Sequence, residues 1–408
     1  MKKVIFIFRH YAGVPPFSGG YQHFHLAECM VNDGYNVFLF VSNFNHASKT
    51  YNKIFPEPYL VDRVQGVNVV WINNKPSYTK NGIKRFIGMI DYSIKAYLAA
   101  RAISKGANKA SIILGSVAHS FAVLSAWVFS WKTRIPLWVD ISELWPEAYV
   151  HAGVISKSHP LAYMLSGLAN FLYKKGDLVT VINSNSKDFI VRHRGVSEEK
   201  VHVFVPGFEC GEYPLCKPRI VLKQNAPFRL TYSGSLGDLY PLDELVIAVS
   251  KLIKNQSNIE VHIVGDGPKK NSLLALARKL GIAEAVKFSK SVKKENLWAI
   301  YADSDALLVI ENDVKFGFPS KLLDYFNAAR PVLMASEADY PLPDDLFIKC
   351  SPTAVELEKA LKKLMALDVI TIGKLGSDTF NYAKENFRTN SQYMSLISPQ
   401  LKSLDLKN

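Results

Sequence analysis

The chain has 408 residues, of which 48% are hydrophobic and 21% charged, a balance that suits two folded domains and excludes a disordered protein. The net charge of +13 lies mostly in residues 1–206, with 23 Lys and Arg against 12 Asp and Glu, whereas residues 207–408 have 26 against 24. This asymmetry indicates that one domain meets an anionic surface or substrate. The sequence lacks zinc-finger spacing, an RNA-binding aromatic motif and a Lys/Arg block, so we expect no nucleic-acid partner.

The N-terminal segment MKKVIFIFRH breaks at Arg9 and predicts a first strand rather than a signal peptide. The longest apolar run, near 121–131, is too short to span a bilayer. Neither CxxC spacing nor histidine pairing occurs, so we expect no zinc site or disulfide framework and a reducing, cytoplasmic setting. The cysteines concerned are Cys29, Cys210, Cys216 and Cys350.

Short runs rich in Val and Ile alternate with helical patterns along the whole chain, which predicts βαβ units and parallel sheets. In the first half the predicted strands are KVIFIF, NVFLFV, VNVVWI, SIILG, PLWVD, LVTVI and KVHVFV. In the second half they are FRLTYSG, IEVHIVGDGP, AVKFSK, DALLVI and PVLMA. The sequence therefore predicts an α/β protein with two doubly wound domains, 1–206 and 221–380. A Gly- and Pro-rich linker, 207–220, joins them, and a helical stretch, 381–408, can cross back to the first domain.

Glycine turns follow three of the predicted strands. In open α/β sheets ligands lie beyond the carboxyl ends of strands, and glycine lets backbone N–H groups approach a phosphate. Each turn alone is more often only a turn, and a full GxGxxG and the lysine of a P-loop are missing, which disfavours a dehydrogenase or an NTPase. The turn residues are Gly19, Gly20, Gly234, Ser235, Gly265 and Gly267.

The stretch FGFPSKLLDYF follows strand DALLVI and begins a helix with Pro319, Ser320 and Lys321. A cation in the first helical turn is disfavoured by the helix dipole unless an anion lies there. We interpret Lys321 and the free N–H groups as a pyrophosphate site, with Asp324 accepting hydrogen bonds from a ribose diol. The alternative is an ordinary N-cap, a surface charge and a first-turn acid.

The same stretch, FPSKLLDYFNAARPVL, resembles the nucleotide-sugar motif of GT-B glycosyltransferases of family 4. VDISELWPEAYVHAGVI (139–155) resembles bacterial members that build O-antigen or capsule, including the fucosaminyltransferase-like branch. With YSGSLG, VGDGP and the segment from VTVINSNS to VFVPGFE, the resemblance covers essentially the whole chain. It implies two Rossmann-like domains that face each other across a cleft, the N-terminal one for the acceptor and the C-terminal one for the donor.

The resemblance also implies roles for individual residues. His119 would touch the donor sugar or the departing phosphate, although a lone histidine is more often structural. Apart from the resemblance, the position of Asp140 and Glu143 after strand PLWVD would let them bind acceptor hydroxyls or assist proton transfer, or else cap the next helix. The residues expected to bind the donor are Gly19, Gly20, Gly234, Ser235, Gly265, Gly267, Val292, Pro319, Ser320, Lys321 and Asp324.

Several positions depart from the family pattern. Ser235 and Tyr240 stand where the family has Arg and Lys, and Asp324 replaces a Glu. Phe316 stands where the family has a partner Glu, eight residues before Asp324, and Glu311 and Asp313 lie nearby in the sequence. Pro206-Gly207 replaces the Asn-Gly of the family, and Ala329 replaces a Gly at the end of the helix.

The resemblance implies a retaining transferase that moves a sugar from a nucleotide-diphosphate sugar, with UDP favoured, to a polyprenyl-diphosphate-linked or saccharide acceptor in surface polysaccharide synthesis. We expect no cofactor and no metal: Asp303-Ser304-Asp305 mimics a metal-binding DxD but precedes a strand, and Lys321 can neutralise the leaving diphosphate. A GT-B sugar-nucleotide epimerase and an inactive relative that only binds nucleotide or membrane are the alternatives.

Residues 80–105 combine an apolar helical stripe with six cations. This helix can lie in a membrane interface, which favours peripheral attachment at the inner face of the plasma membrane, or it can pack its stripe on the sheet. The stripe consists of Ile83, Phe86, Ile87, Ile90, Ile94, Tyr97 and Leu98, and the cations are Lys80, Lys84, Arg85, Lys95, Arg101 and Lys105.

Overall fold

A computed structural model describes residues 3–17, 20–46, 48–75, 77–78, 82–147, 150, 155–156, 158–205, 226–292, 294–312, 317–338, 340 and 342–405. The chain divides into two units. The first comprises Met1–Gly207 and Phe387–Asn408, and the second Phe208–Asn386. The returning segment thus begins at Phe387, six residues after the predicted position, and the predicted linker 207–220 lies outside the described residues.

In the part of the first unit that the structure describes, one sheet has the strand order β10-β9-β8-β7-β1-β2-β6-β5. Its neighbours pair in parallel except β5, which pairs with β6 in antiparallel. The strands are β1 Val4–Phe8, β2 Asn36–Ser42, β5 Tyr59–Val64, β6 Val67–Ile72, β7 Ile112–Ser116, β8 Leu137–Ile141, β9 Leu178–Val181 and β10 Val201–Val203. A short hairpin, β3 Phe44–Asn45 with β4 Thr50–Tyr51, lies apart from this sheet.

The sequence missed β5 because its residues alternate between partly buried and exposed, unlike the continuous apolar runs of strands that are buried on both faces. Gln65 and Gly66, with φ of 49° and 85°, make the two-residue turn that joins β5 to β6. The seven strands predicted for this unit all form, which confirms the doubly wound α/β architecture here.

Helices cover the sheet of the first unit and include the returning segment. Tyr393, Ile397 and Leu401 of that segment are buried in the same core as β1 and β2. The Tyr393 hydroxyl and the Ser398 hydroxyl both donate to Asp33 Oδ2, at 3.0 and 2.7 Å. The helices are Gln22–Asn32, Ile83–Ile103, Ser120–Thr133, Pro160–Lys175, Ser184–Arg194, Thr389–Gln392 and Ser398–Asp405, with 3-10 turns Gly106–Asn108 and Glu198–Lys200 and a π-turn Tyr393–Ile397.

The second unit, where described, has one parallel sheet in the order β13-β12-β11-β14-β15-β16. Its strands are β11 Phe228–Ser233, β12 Ile259–Val264, β13 Val286–Ser289, β14 Ala306–Ile310, β15 Val332–Ala335 and β16 Phe347–Cys350. The sequence predicted the first five and missed the half-exposed edge strand β16. The helices are Leu242–Lys254, Lys270–Lys279, Lys294–Ala302, Lys321–Asn327, Ala354–Met365 and Val369–Asn386.

The strand order of the second unit fixes where a ligand can lie. The chain runs outward from β11 to β12 and β13 on one side, and from β14 to β15 and β16 on the other. The crossover connections therefore diverge between β11 and β14, and a crevice opens beyond the carboxyl ends of these two strands. The residues that follow β11 and β14 meet at this point.

Candidate functional site

A cavity of about 510 Å³ lies at the carboxyl ends of β11 and β12 in the second unit, within the size range of small-molecule sites. Turns after the strands and the start of helix Lys321–Asn327 form its walls. The residues lining it are Ser233, Gly234, Ser235, Tyr240, Val264, Gly265, Asp266, Ser291, Val292, Leu297, Tyr301, Ser320, Lys321 and Asp324.

Lys321 is the central charged group of this cavity. Its Nζ lies 4.1 Å from the ring centroid of Tyr232 and 4.5 Å from that of Tyr240, so two aromatic faces hold the ammonium group. The amine is buried and has no hydrogen-bond partner among the described residues. An ammonium group has three N–H donors, and leaving them unpaired away from water is costly. The site therefore favours an anionic ligand.

The charge state of Lys321 follows from its surroundings. Burial lowers the pKa of Lys321 to about 8, and the nearby Glu311 carboxylate opposes this shift. Glu311 is itself buried, which raises its pKa, and it accepts hydrogen bonds from Tyr340 and Ser336. Near neutral pH the Lys321 amine is thus protonated in most molecules and can attract an anion.

Gly234 lets the backbone approach this amine closely, and Gly265 lets the neighbouring turn approach Gly234. A Cβ on Gly234 would lie 2.8 Å from Lys321 Nζ, and a Cβ on Gly265 would lie 1.9 Å from the carbonyl oxygen of Gly234. A side chain at either position would displace backbone or fill the cavity, so these turns require glycine for space. Close packing thus explains why glycine occupies both positions, which the turn motif alone did not explain.

A tyrosine network holds helix Lys321–Asn327 against the end of β11. The Ser233 amide donates to the Tyr325 hydroxyl at 3.0 Å, and that hydroxyl donates to the Leu308 carbonyl at 3.2 Å. Ser233 Oγ lies 2.6 Å from the Tyr301 hydroxyl. Because Tyr325 is on the same helix as Lys321, these bonds fix the direction from which the lysine enters the cavity.

In the first unit, a buried network surrounds Asp140 in β8. Thr180 Oγ1 donates to its Oδ1 at 2.8 Å, and Ser116 Oγ donates to its Oδ2 at 2.6 Å. His23 Nε2 also lies 2.8 Å from Oδ2. The hydrogen bonds from His23 and Ser116, together with the charge of nearby Arg9, keep the pKa of Asp140 below its usual value despite its burial. Both carboxylate oxygens are therefore occupied by the protein itself.

A second buried chain joins His119 to His10. The Ala122 amide donates to His119 Nδ1 at 3.3 Å, His119 Nε2 lies 2.7 Å from His10 Nδ1, and His10 Nε2 lies 2.9 Å from Asn74 Oδ1. Because His119 Nδ1 accepts a hydrogen bond, its proton lies on Nε2, which donates to His10 Nδ1. His10 Nε2 in turn donates to Asn74 Oδ1, so both rings are neutral with their protons on Nε2. Burial lowers the pKa of His10 to about 3 and that of His119 well below its usual value, consistent with neutral rings.

Comparisons with known proteins agree with this architecture. Residues 217–342, which include the cavity residues, match the family model of Glycosyl transferases group 1. A probable glycosyltransferase, WbjE of Pseudomonas aeruginosa, is 21% identical over 81% of this chain and 83% of its own length. HepE of Anabaena in complex with UDP has a TM-score of 0.67 at 15% identity, covering 98% of this chain and 100% of its own. WaaG, a glycosyltransferase involved in lipopolysaccharide biosynthesis, has a TM-score of 0.62 at 15% identity, covering 99% of both chains.

The chain therefore has the GT-B fold, and residues 217–342 resemble Glycosyl transferases group 1.

Of the predicted donor-binding residues of this GT-B protein, the cavity brings together Gly234, Ser235, Gly265, Val292, Ser320, Lys321 and Asp324. Two others, Pro319 and Gly267, do not line the cavity. The Pro319 carbonyl accepts from the Leu322 amide at 2.8 Å, and a Cβ on Gly267 would lie 2.4 Å from the Leu236 carbonyl oxygen. Gly20 belongs to the first unit and Gly19 lies outside the described residues, as do Asp313 and Phe316.

The helix start differs from the sequence-based expectation. Ser320 has helical backbone angles and makes no side-chain capping bond, so the ordinary N-cap proposed as an alternative does not form. Helix Lys321–Asn327 has only seven residues. The buried Lys321 amine, and not the helix end, is what favours an anion here.

The three predicted catalytic residues, His119 toward the donor and Asp140 and Glu143 toward the acceptor, fall in different environments. His119 and Asp140 are buried in the two networks, whereas Glu143 is exposed on the surface. Asp140 lies within β8 and is not a helix cap, while His119 does cap helix Ser120–Thr133 through Nδ1. The catalytic roles of these three residues stay predictions. Of the DxD-like stretch, Asp303 pairs with Arg229, and Asp305 accepts from the Arg229 amide at 2.7 Å.

Sequence reasoning missed Ser233, Tyr301 and the role of Tyr240. In the sequence Tyr240 stands out only as a replacement for a basic residue, yet its ring covers the Lys321 amine. The sequence feature that points to this contact is a tyrosine shortly after the GSLG turn. Tyr301, on a separate helix, gave none, because its contact with Ser233 spans a sequence separation of 68 residues.

The buried histidines predict a pH-dependent stability of the first unit. The pKa of His10 is lowered in the folded state, so the unfolded chain binds more protons between about pH 3 and the ordinary histidine pKa of 6.5. The contribution of His10 to the free energy of unfolding is therefore fully present above pH 6.5. Below pH 6.5 it falls by about 1.4 kcal/mol per pH unit, as for each such histidine. We expect urea denaturation of His10→Gln to show a slope between pH 5 and 6 that is smaller by about this amount. A slope equal to that of the wild type would contradict the neutral state of folded His10.

Proposed function

We propose that this protein is a retaining family 4 glycosyltransferase that transfers a hexosyl or N-acetylhexosaminyl group from a UDP-sugar. The acceptor is a polyprenyl-diphosphate-linked or other saccharide in O-antigen or capsule synthesis. The observation that carries the proposal is the Lys321 amine, buried without a hydrogen-bond partner among the described residues and lining a cavity of nucleotide size. The complex of the similar HepE fold with UDP supports the nucleotide, and the lipopolysaccharide role of WaaG supports the acceptor class.

In this proposal the bond between the anomeric carbon and the diphosphate oxygen breaks, and a bond from the same carbon to an acceptor hydroxyl oxygen forms on the same face. The acceptor proton leaves with the nucleoside diphosphate. Lys321 stabilises the negative charge that grows on the leaving diphosphate, which is the term that most often dominates such catalysis. We propose that no metal ion is needed for this step.

The carboxylate and hydroxyls of the cavity suit the rest of the donor. Asp324 lies one helical turn from Lys321 and lines the same cavity. A carboxylate can accept two hydrogen bonds from a ribose diol, so we assign Asp324 to the ribose. Ser235 and Ser291 supply further hydroxyls to the cavity wall.

A screen of nucleotide sugars with lipid and saccharide acceptors tests this function. We expect transfer from a UDP-sugar in the presence of chelator, with the anomeric configuration of the donor kept in the product, as read by NMR. An epimerised nucleotide sugar without transfer would identify an epimerase, and UDP binding without either product would identify a non-catalytic binder. Inversion at the anomeric carbon would exclude the retaining mechanism.

We also propose peripheral attachment of the first unit to an anionic membrane surface. None of the helices that the structure describes is long and apolar enough to span a bilayer. The cationic excess of residues 1–206 supports attraction to acidic lipids, where a polyprenyl-linked acceptor also resides. Such attraction is screened by salt within about 8 Å at physiological ionic strength.

A further inference from the structure

Helix Ile83–Ile103 exposes its apolar stripe instead of burying it. Its buried side combines small residues, including Gly88, Ala96 and Ala100, with Met89 and Tyr92, and the helix contacts β6 and helix Ser120–Thr133. The exposed row is Ile83, Ile87, Ile90, Ile94 and Leu98, with exposed fractions from 37% to 77%. The other two members of the predicted stripe, Phe86 and Tyr97, are half-buried. The alternative that the stripe packs on the sheet is therefore wrong for its five exposed residues.

Two helices packed in series beside it also expose apolar side chains. Helix Ser120–Thr133 contacts both helix Ile83–Ile103 and helix Pro160–Lys175. Trp131 is 65% exposed and stacks on Trp127, with 6.0 Å between the ring centroids. Trp127 meets Phe171 edge-on, with 4.9 Å between the ring centroids. Lys132 Nζ lies 5.7 Å from the ring centroid of Tyr97, which joins the first two helices. We call the exposed row together with Trp131, Met164 and Phe171 the three-helix face.

The charges around this face have one dominant sign. The three helices contain seven Lys and Arg residues and one acidic residue, Asp91. Asp91 is neutralised by an ion pair with Lys95 at 2.8 Å. Lys84, Arg101, Lys132, Lys174 and Lys175 are exposed. An apolar surface with tryptophan and bordering lysines has the composition of a membrane-interface element.

We propose that the three-helix face inserts its apolar side chains into the boundary between headgroups and acyl chains of an anionic bilayer. Insertion removes the exposed isoleucines from water, while the bordering lysines reach the acidic headgroups. A second copy of this chain fits less well, because a two-fold contact would bring the same cations together. The inference rests on the proposed function only in that a lipid-linked acceptor lies at this boundary.

The tryptophans allow insertion to be measured directly. Of the six tryptophans, Trp71, Trp138, Trp145 and Trp298 are buried, so only Trp127 and Trp131 can meet lipid. We expect vesicles of phosphatidylglycerol and phosphatidylcholine with brominated acyl chains to quench the protein's fluorescence, and Trp131→Phe to lose much of this quenching. Binding without quenching would overturn insertion and leave only electrostatic attachment.

Substitutions in the exposed row test the apolar contribution. We expect Ile87→Gln with Ile94→Gln to lower the partition coefficient onto these vesicles by about tenfold or more. Ile54→Gln and Ile370→Gln are matched controls, since these isoleucines are 87% and 83% exposed outside the face, and they should leave the partition coefficient unchanged. Equal losses in all variants, or equal binding by the double variant and the wild type, would contradict the proposal.

Two further measurements separate this inference from other outcomes. Sedimentation velocity without lipid should show the same mass for wild type and double variant; a dimer that the double variant loses would make the face a contact between copies. UDP titration of the double variant should match that of the wild type. If UDP fails to bind while vesicle insertion occurs, the proposed function fails and the membrane face stands.

Discussion

Lys321→Ala is expected to weaken UDP binding by roughly 10- to 150-fold in isothermal titration calorimetry. The variant removes a charge-assisted contact to the diphosphate that is worth about 1.5–3 kcal/mol. The loss should appear equally with and without chelator, because the proposed site uses a lysine in place of a metal ion. Strong loss of wild-type binding in chelator would contradict the metal-free proposal.

A control and a pH series make this result specific. Lys287→Ala removes the same charge from the second unit, where Lys287 pairs with Glu260 at 2.9 Å on the surface, and should leave affinity unchanged. The pKa of Lys321 is about 8, so wild-type affinity should fall above this pH, by up to about tenfold per pH unit. Lys321→Ala should lack this dependence; a variant that keeps it would place the titrating group elsewhere.

Asp140→Ala is expected to destabilise the first unit by about 3–5 kcal/mol in urea denaturation. The substitution leaves His23, Thr180 and Ser116 without their common acceptor and removes the carboxylate that compensates the charge of Arg9. Since the pKa of folded Asp140 is lowered, its contribution is present above the ordinary Asp pKa and is lost as the pH falls through the folded value.

Glu143→Ala is the matched control for this prediction. The sequence places Glu143 three residues from Asp140, but the structure exposes it. We expect a change of stability within about 0.5 kcal/mol, as for ordinary surface substitutions. If Glu143→Ala destabilised the unit as much as Asp140→Ala, the assignment of the stabilising network to Asp140 would be incorrect. A loss of transfer activity in stable Glu143→Ala would instead support its predicted role toward the acceptor.

The sequence by itself determined the apolar strands of both sheets, the doubly wound architecture and the position of the cavity lysine, but it missed β5 and β16. A parallel strand covered on both faces must be apolar throughout, so β1, β7 and β14 stand out as short continuous runs. Lys321 was identifiable because a cation directly after a strand–loop–helix corner has no local partner. These signals are local, and each is carried by fewer than about ten neighbouring residues.

Only the tertiary structure decided which side chains are buried and what they contact. Tyr232 and Tyr240 hold the Lys321 amine, and Ser233 meets Tyr301, although these residues are far apart in the chain. Likewise, helix Ile83–Ile103 has two apolar faces that repeat at helical spacing, one with the isoleucines and Leu98 and one with Met89, Tyr92 and several alanines. Periodicity defines both faces equally, but packing against β6 and helix Ser120–Thr133 buries the second face and leaves the isoleucines on the solvent side.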